Sequence, residues 1–422
     1  FFFVCSVSCT GASSFRHVRC KASGQPKIGS SHHARGDQAV ARYYVPMEVM
    51  DNGFLVETWD ASRTPVPVRT MKSFVEMGLP STLLDNVAAI GYSTPTQVQA
   101  YAIPTIQTGK DVVVMGPSGY GKTAAYLIPI LSQLCSGLNG PRAPLQAPIW
   151  SPRAVVLVPT PELAHQIYAH AERLAVDTGV QRTMLISEHL DEPGPAPEIC
   201  DLLITTPVVL YELIQREAVF LRGVEFLVID EAEMIFAKPV TSDLTLEIAK
   251  EHMPAKTLWQ AVVLGWPMSL QTLSSCCSIL DGEVTIAVGT VTDHWRHLQH
   301  HRIVVPESQK VEELHTQVAA LQGQQALVLV QTTEQAIAVG EVLTQAGLEG
   351  VHAYRVVHMQ QPMEMRQQSI SLFRADMVQL LVTTHWLVRG LDFPLLKFVI
   401  MYAVAESAEA EMHSAGRAGR AG

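Results

Sequence analysis

The sequence has few features of a zinc-binding, disulfide-linked or membrane-spanning protein. No apolar run approaches the roughly 20 residues that a membrane helix requires. The cysteines show no C-x-x-C pair and stand at Cys5, Cys9, Cys20, Cys135, Cys200, Cys276 and Cys277. This usage favours a reduced intracellular protein, in the cytoplasm or the nucleus, without a structural zinc site or a membrane partner.

Positive charge is also scarce, because 40 Asp and Glu outnumber 30 Lys and Arg and the formal net charge is −10. A nucleic-acid site would therefore have to be a local basic groove. Residues 1–40 carry almost no acid before Asp37 and are rich in Ser, Arg, Lys and Gly. We expect residues 1–60 to be an N-terminal extension, either a disordered tail or an organelle-targeting segment.

A glycine-rich loop at residues 116–123 follows an apolar run and precedes a helix-like pattern. Its spacing is G-x-x-x-x-G-K-[ST], in which glycines let backbone N–H groups surround phosphate oxygens at a helix start. Lys122 can reach the β- and γ-phosphates, and the Thr123 hydroxyl can hold Mg²⁺. The pattern predicts a bound nucleotide and Mg²⁺, with contacts from Gly116, Ser118, Gly119, Gly121, Lys122 and Thr123.

Strand-like runs then alternate with helix starts, which predicts a parallel α/β sheet with ligands at the carboxyl ends of its strands. Thr160 before Pro161 and Thr206 before Pro207 are typical helix N-caps with proline at the first helical position. Thr96 is a third candidate N-cap. Gln99 beyond it is either a surface residue or a side chain that reads an adenine edge.

The run 226–229 ends in Asp230 and Glu231. Such a pair can simply be solvated or can cap the next helix. In a P-loop protein we favour the mechanistic interpretation, in which Asp230 holds Mg²⁺ through water. Glu231 then orients or deprotonates the attacking water.

With these residues in place, the chain resembles the DEAD-box RNA helicases over roughly residues 60–422. The matching segments, in the family's order, are Phe74 with Gln99, 116–123, 159–164, Thr206-Pro207, 230–233, 327–332, Arg366, 384–392 and 413–420. The resemblance implies two RecA-like α/β domains that close on ATP and bend single-stranded RNA across a shared face. It predicts domain 1 over 61–288, a linker over 289–312 and a second, incomplete domain over 313–422, truncated at its C-terminus.

The resemblance also implies roles for individual residues. Phe74 and Gln99 would contact adenine, and Asp392 would contact the ribose. Arg417 and Arg420 would join Lys122, Asp230 and Glu231 as catalytic groups, stabilising charge on the γ-phosphate. RNA contacts would come from Thr160, Thr206, Arg366 and Thr384. A flexible basic tail is the alternative interpretation of the segment that holds Arg417 and Arg420.

Departures from the family pattern fall mainly on the RNA side. Pro161 replaces an arginine, Val208-Val209 replaces Gly-Arg, and Ser187-Glu188 replaces Gly-Gly. In addition, Glu233 replaces aspartate, Gly265-Trp266-Pro267 replaces Ser-Ala-Thr, His385 replaces aspartate and Ser414 replaces arginine. We therefore expect ATP binding with weakened RNA contacts, since each lost phosphate contact lowers affinity.

Three functions remain open at this point. The first is an ATP-dependent RNA helicase or remodeller, with RNA and protein partners. The second is a pseudo-helicase scaffold that binds nucleotide or partner proteins without efficient unwinding. The third is a P-loop kinase or transporter-type ATPase, which would leave the pattern of residues 389–420 unexplained.

Overall fold

A computed structural model describes residues 2–7, 56–60, 68–117, 119–137, 150–187, 200–288, 298–321, 323–345 and 353–403. Its strands are β1 (Phe2–Val7), β2 (Val56–Asp60), β3 (Val112–Met115), β4 (Ala154–Leu157), β5 (Arg182–Leu185), β6 (Leu202–Thr205), β7 (Phe226–Ile229), β8 (Gln260–Gly265), β9 (Val284–Val288), β10 (Leu298–Ile303), β11 (Ala326–Val330), β12 (Tyr354–Val357), β13 (Leu380–Thr384) and β14 (Phe398–Met401).

The α-helices follow most of these strands. They are α1 (Ser81–Ala89), α2 (Gln97–Ile106), α3 (Lys122–Ser136), α4 (Pro161–Leu174), α5 (Pro207–Gln215), α6 (Ala232–Ala237), α7 (Pro239–Glu247), α8 (Leu270–Cys277), α9 (Lys310–Ala320), α10 (Thr333–Gln345) and α11 (Met363–Arg374). None of these helices combines the length and apolar character that crossing a bilayer would take.

The chain divides into two compact units, which we call the P-loop unit (Val40–Val291) and the C-terminal unit (Phe1–Ala39 with Thr292–Gly422). In the described part of the P-loop unit, eight strands form one sheet in the order β2-β9-β3-β8-β7-β4-β6-β5. Strand β2 pairs antiparallel with β9, and the other neighbours pair in parallel. Every residue of β3, β4, β6 and β7 is buried, as expected of strands covered on both faces.

The C-terminal unit has a second sheet, with the described strands in the order β10-β1-β14-β11-β13-β12. Strands β14, β11, β13 and β12 are parallel, and β1 lies antiparallel between β10 and β14. Alternate residues of β11 enter different cores: Leu327 and Leu329 pack with Phe373, whereas Val328 and Val330 pack with Leu343. This two-residue period follows from the pleat of a strand.

Each unit is an α/β unit with a mainly parallel sheet, which confirms the predicted fold class. The boundaries differ in detail from the predicted domains. Two described segments of the expected extension over residues 1–60 are strands, β1 and β2, and they belong to different units. The division between the units falls at 291/292, inside the predicted linker 289–312, and that linker contributes β10 and the start of α9. β-branched and aromatic residues in β2 suit an extended segment that pairs with a sheet edge.

Candidate nucleotide site of the P-loop unit

The glycine-rich loop runs from the end of β3 to the start of α3, as the sequence predicts. Gly119 has φ 87° and Gly121 has φ 78°, values that glycine adopts without steric strain. Gly121 is the residue that precedes the first turn of α3. The loop therefore ends at a helix N-terminus, where free backbone N–H groups and the helix dipole favour an anion. Ser118 lies outside the described residues.

Lys122 is held inside this loop rather than in solvent. Its side chain is buried, and Nζ donates to the carbonyl oxygens of Gly116 at 2.7 Å and Pro117 at 3.4 Å. A buried ammonium needs such partners, and phosphate oxygens are better acceptors than neutral carbonyls. Thr123 follows in the first turn of α3 and is half-buried. The loop thus places one cation and one hydroxyl at a single helix start.

Helix α2 is tied to the loop through Thr96 and Gln99. Thr96 is the N-cap of α2, as predicted, and forms a capping box with Gln99. The Thr96 hydroxyl also donates to the carbonyl of Tyr120 at 2.8 Å, and Gln99 Nε2 donates to the carbonyl of Gly121 at 3.3 Å. Gln99 is therefore a buried brace of the loop. Its amide retains a second donor and a second acceptor position, so adenine recognition by Gln99 stays a prediction.

Phe74, the other predicted adenine contact, is also buried. Its ring lies 6.5 Å from the ring of Tyr92 in a stacked arrangement with an interplanar angle of 21°. Tyr92 in turn has its hydroxyl 2.9 Å from His170 Nε2 on α4. The structure therefore shows Phe74 packing within the unit, and its contact with a base stays a prediction.

The acidic pair follows β7, at the same edge of the sheet as the loop after β3, with β8 between them. Asp230 Oδ1 accepts from the Glu231 backbone N–H at 2.9 Å, and Oδ2 accepts from the Tyr126 hydroxyl at 3.1 Å. Glu231 has φ 51° and ψ 50°, a left-handed conformation that is unusual for a non-glycine residue. Burial and the neighbouring Glu231 raise the pKa of Asp230 to about 6, against the opposing attraction of Lys122.

Glu233, in the first turn of α6, adds a third buried carboxyl to this cluster. Its Oε2 accepts from the backbone N–H of Trp266 at 3.3 Å. Burial raises the pKa of Glu233 well above its usual value, and a hydrogen bond with the Glu231 side chain raises it further. The cluster therefore extends from the loop to the residues that follow β8.

These groups suit a hydrated divalent cation. Mg²⁺ prefers hard oxygen ligands, usually one or two carboxylates together with waters and phosphates. Asp230 supplies a buried carboxyl group whose ionised form is favoured by the Lys122 charge, and Thr123 supplies a hydroxyl. Among the described residues there is no group of three or more His, Cys, Asp or Glu that could hold a metal by itself. Asp230 and Thr123 would hold such a cation together with waters and phosphate oxygens.

The predicted RNA contacts of the P-loop unit are helix N-caps. The Thr160 hydroxyl accepts from the Leu163 N–H at 3.3 Å, and the Thr206 hydroxyl accepts from the Val209 N–H at 3.5 Å. Both helix starts are as predicted from the sequence. Contact of either threonine with RNA stays a prediction. Val208, which stands where the family has a glycine, leaves 46% of its surface exposed.

In the C-terminal unit, three predicted site residues are described. The guanidinium of Arg366 is buried beside the sulfurs of Met359 and Met363, at 2.9 and 3.0 Å. Thr384 is buried at the end of β13, and Asp392 is half-buried in the segment that precedes β14. Their contacts with RNA or ribose stay predictions. Arg417 and Arg420 lie outside the described residues.

One functional candidate, Tyr126, was missed from the sequence. It stands one helical turn beyond Lys122 on α3, and the i, i+4 spacing was the available signal. Gly265, which the sequence marks as a replaced residue, lies at the end of β8 next to Glu233, and no local pattern reveals this proximity of distant positions.

An eight-stranded α/β sheet with a P-loop after one strand and an Asp-Glu pair after another defines a P-loop, RecA-like nucleotide-binding unit. The comparisons with known proteins agree. The family model described as DEAD/DEAH box helicase matches residues 96–260, and the one described as helicase conserved C-terminal domain matches residues 309–422. The chain belongs to the DEAD-box helicase family, as a divergent member with several altered motifs.

Similar proteins include the probable ATP-dependent RNA helicase DDX4 of Bos taurus, 29% identical over 84% of this chain and 48% of that protein. Another is the DEAD-box ATP-dependent RNA helicase 52A of Oryza sativa subsp. japonica, 27% identical over 90% of this chain and 63% of that protein. The chain thus spans about half the length of the DDX4 relatives that it matches.

Among solved structures, S. cerevisiae Dbp5 bound to RNA and ADP BeF3 is similar in fold. The TM-score is 0.70 at 21% identity, covering 83% of this chain and 87% of that chain. A variant of the same yeast protein, bound to a variant of Gle1 and to IP6, gives a TM-score of 0.61, also at 21% identity, over 82% and 85% of the two chains. At this level of identity the likeness concerns the fold alone.

Proposed function

We propose that this protein binds and hydrolyses ATP with Mg²⁺ at the P-loop, and that it uses the cycle to clamp or remodel RNA. The observation that carries the proposal is that Lys122, after β3, and Asp230, after β7, lie at one edge of the sheet. Burial raises the pKa of Asp230, and the Lys122 charge partly offsets that rise. A cation for the phosphates and a carboxylate for the metal are two of the parts that P-loop hydrolysis requires.

Each residue of the site has a separate role in binding or hydrolysing ATP. Lys122 exchanges the carbonyls of Gly116 and Pro117 for phosphate oxygens, because charged acceptors form stronger bonds. Thr123 and Asp230 hold the hydrated cation, which when bound neutralises charge on the phosphates. Glu231 orients the attacking water and accepts its proton. The Gln99 brace keeps the last turn of the loop in place.

RNA is the proposed partner because the relatives above carry the name RNA helicase, and a fold neighbour was solved with RNA. The helix starts after Thr160 and Thr206 carry the positive ends of helix dipoles, which suit phosphates. Pro161 and the exposed Val208 remove a cation and a flexible turn from these helix starts. Because each phosphate contact in a single-stranded complex contributes about 0.7 to the salt slope, we propose weak RNA binding with a shallow salt dependence.

The test is the ATPase rate of the full chain with and without single-stranded RNA, over a range of salt concentrations. Lys122→Ala provides the blank, and Glu231→Gln should abolish turnover while a fluorescent nucleotide still binds. Arg420→Ala and Arg417→Ala test the predicted arginines and should lower the turnover number more than the nucleotide affinity. A turnover number that RNA leaves unchanged would contradict the RNA-dependent part of the proposal.

The second candidate is a scaffold that retains the helicase fold and uses nucleotide only as a conformational latch. The motif that replaces Ser-Ala-Thr favours it, since Gly265-Trp266-Pro267 has no hydroxyl group with which to link the two ligands. Wild-type protein that binds nucleotide but turns over no faster than Glu231→Gln would support the scaffold. Turnover that depends on Glu231 would exclude it.

A further inference from the structure

The guanidinium of Arg366 lies between two methionine sulfurs at the start of α11. Its Nη1 donates to the sulfur of Met359 at 2.9 Å, and its Nη2 donates to the sulfur of Met363 at 3.0 Å. Arg366 is only 6% exposed. A thioether sulfur is a weak acceptor, whereas oxygen acceptors stabilise a guanidinium strongly. Two donors of a buried cation are therefore directed at groups that stabilise it little.

The two methionines differ in their access to solvent. Met363 is the first residue of α11 and is 4% exposed, whereas Met359 precedes the helix and is 51% exposed. Oxidation of methionine follows exposure, because the oxidant must reach the sulfur. In the folded protein, a peroxide in solution therefore reaches Met359 well before it reaches Met363.

The turn that carries Met359 is held by Gln361. Its Oε1 accepts from the backbone N–H of His358 at 3.1 Å, and its Nε2 donates to the carbonyl of Val356 at 3.0 Å. The backbone N–H of Gln361 donates to the carbonyl of His358, also at 3.1 Å. These bonds fix the backbone before and after Met359. The Met359 side chain can therefore change chemically while it stays beside Arg366.

We propose that Met359 is a site of reversible sulfoxidation, at which the new oxygen accepts from the Arg366 guanidinium and stabilises the C-terminal unit. With hydrogen peroxide as oxidant, the sulfur bonds to one peroxide oxygen and the O–O bond breaks. The sulfur loses two electrons and becomes a sulfoxide, and the other oxygen leaves as water with both protons. A methionine sulfoxide reductase reverses the step with two thiols, giving the thioether, water and a disulfide.

The expected effect is opposite in sign to that of ordinary methionine oxidation, which disrupts apolar packing. Met359 is half in solvent, so its sulfoxide does not bury an unsatisfied polar group. The sulfoxide oxygen also replaces a weak acceptor of a charged donor by a strong one. Oxidation should therefore tighten the start of α11. The inference does not depend on ATP hydrolysis.

Hydrogen exchange of the full chain before and after a limited dose of hydrogen peroxide tests the site, with sulfoxide at each methionine measured by peptide mass spectrometry. Amide exchange in β12 and α11 should slow by about three- to tenfold on oxidation, the effect of one added hydrogen bond. Met359→Leu conserves volume and should show no slowing. Met365→Leu and Met377→Leu, at side chains that are 53% and 66% exposed, are matched controls and should slow like the wild type.

Met359→Gln tests the contact without an oxidant, since its amide supplies an oxygen acceptor at about the same reach. It should slow exchange in α11 as oxidation does. In an Arg366→Met background, where an apolar side chain of similar length replaces the buried cation, Met359→Gln should slow nothing. Equal slowing in that background would overturn the role of Arg366.

Three further results would overturn the proposal. The first is faster exchange in the oxidised wild type, which is the ordinary lesion. The second is slowing of the same size in oxidised Met359→Leu, and the third is sulfoxide at Met363 before Met359. Treatment of the oxidised wild type with methionine sulfoxide reductase and dithiothreitol should restore the original exchange rate, and failure to restore it after Met359 is reduced would contradict the assignment as well.

Discussion

Tyr126 and Asp230 meet in the interior of the P-loop unit, where the phenol donates a 3.1 Å hydrogen bond to the carboxylate. The tyrosine is fully buried, and burial together with Asp230 raises its pKa well above the usual value. The phenol is therefore a permanent donor to the carboxylate. It stabilises the ionised form of Asp230, which the cation requires.

Tyr126→Phe should weaken the proposed cation site without disturbing the loop. The pKa of Asp230, about 6 in the wild type, should rise, because the hydrogen bond from Tyr126 lowers it. The acid limb of the ATPase pH profile should therefore move to higher pH. The Mg²⁺ concentration for half-maximal rate should increase by about three- to tenfold, the equivalent of a lost bond worth roughly 1 kcal/mol. Tyr168→Phe, at a half-buried tyrosine of α4, is the control and should leave both quantities unchanged.

Gly121→Ala should abolish nucleotide binding for two structural reasons. The backbone at Gly121 has φ 78°, and an added Cβ would lie 2.5 Å from Gln99 Nε2. Gly78→Ala is a matched control, since Gly78 has φ 65° and nothing lies within 4 Å of its added Cβ. The control should lose only about 1–2 kcal/mol of stability from its backbone conformation. Titration with a fluorescent nucleotide distinguishes the two, and equal affinities would contradict the role of the Gln99 brace.

Asp111 holds three segments of the P-loop unit together. Its carboxylate pairs with Lys256 at 2.7 Å and accepts from the backbone N–H groups of Ala261 and Asp281, each at 2.7 Å. Asp111→Ala should lower the free energy of unfolding of this unit by about 3 kcal/mol, because a partly buried lysine and two amides lose their acceptor.

The control for Asp111 is Glu225→Ala, which removes an ion pair of the same 2.7 Å length with Arg153. The side chain of Glu225 is 43% exposed, so its loss should cost less than about 1 kcal/mol. Urea unfolding measures both variants. Equal losses would mean that the Asp111 contacts contribute no more than a surface pair.

His385 should make the stability of the C-terminal unit depend on pH. Burial lowers its pKa to about 4, with a smaller lowering effect from Arg389. The unfolded chain has the usual value of about 6.5, so between about pH 4 and 6.5 the unfolded state binds more protons. Stability from this group is complete above about pH 6.5 and decreases as the pH falls towards about 4. At about pH 5 the loss relative to pH 7 should be about 2 kcal/mol.

His385→Asn removes the titrating group, so the difference in unfolding free energy between wild type and variant should change by that amount from about pH 7 to about pH 5. His315→Asn, at an exposed histidine of α9, serves as the control. A difference that is constant with pH would contradict the burial of His385 in the neutral form.

The helix starts of the P-loop unit were predictable from the sequence because their signals are local. Thr96, Thr160 and Thr206 each cap a helix. In each case the threonine hydroxyl accepts a hydrogen bond from the backbone N–H three residues later. The buried strands β3, β4, β6 and β7 were predictable for the same reason, as short apolar runs between turn residues. The loop and the acidic pair could also be located from local sequence. The loop has a fixed spacing of residue types, and the pair directly follows a short apolar run.

Contacts between distant positions were not predictable in this way. Tyr126 and Asp230 are separated by 104 residues, and only the sheet order brings the helix that follows β3 to the end of β7. The proximity of Gly265 to Glu233 depends on how α6 packs against β8, which no periodicity encodes. Strand β1 pairs with β10 and β14, although the whole of the P-loop unit separates it from both in the sequence.

The left-handed backbone conformation of Glu231 lowers the stability of the P-loop unit. Such a conformation costs a side-chain-bearing residue roughly 1–2 kcal/mol, and glycine would remove that cost. Replacement of Glu231 by glycine should therefore raise the free energy of unfolding of the P-loop unit and remove the carboxylate that orients water. Selection for thermal stability alone would favour glycine at position 231. An acidic residue that persists there would therefore indicate selection for catalysis.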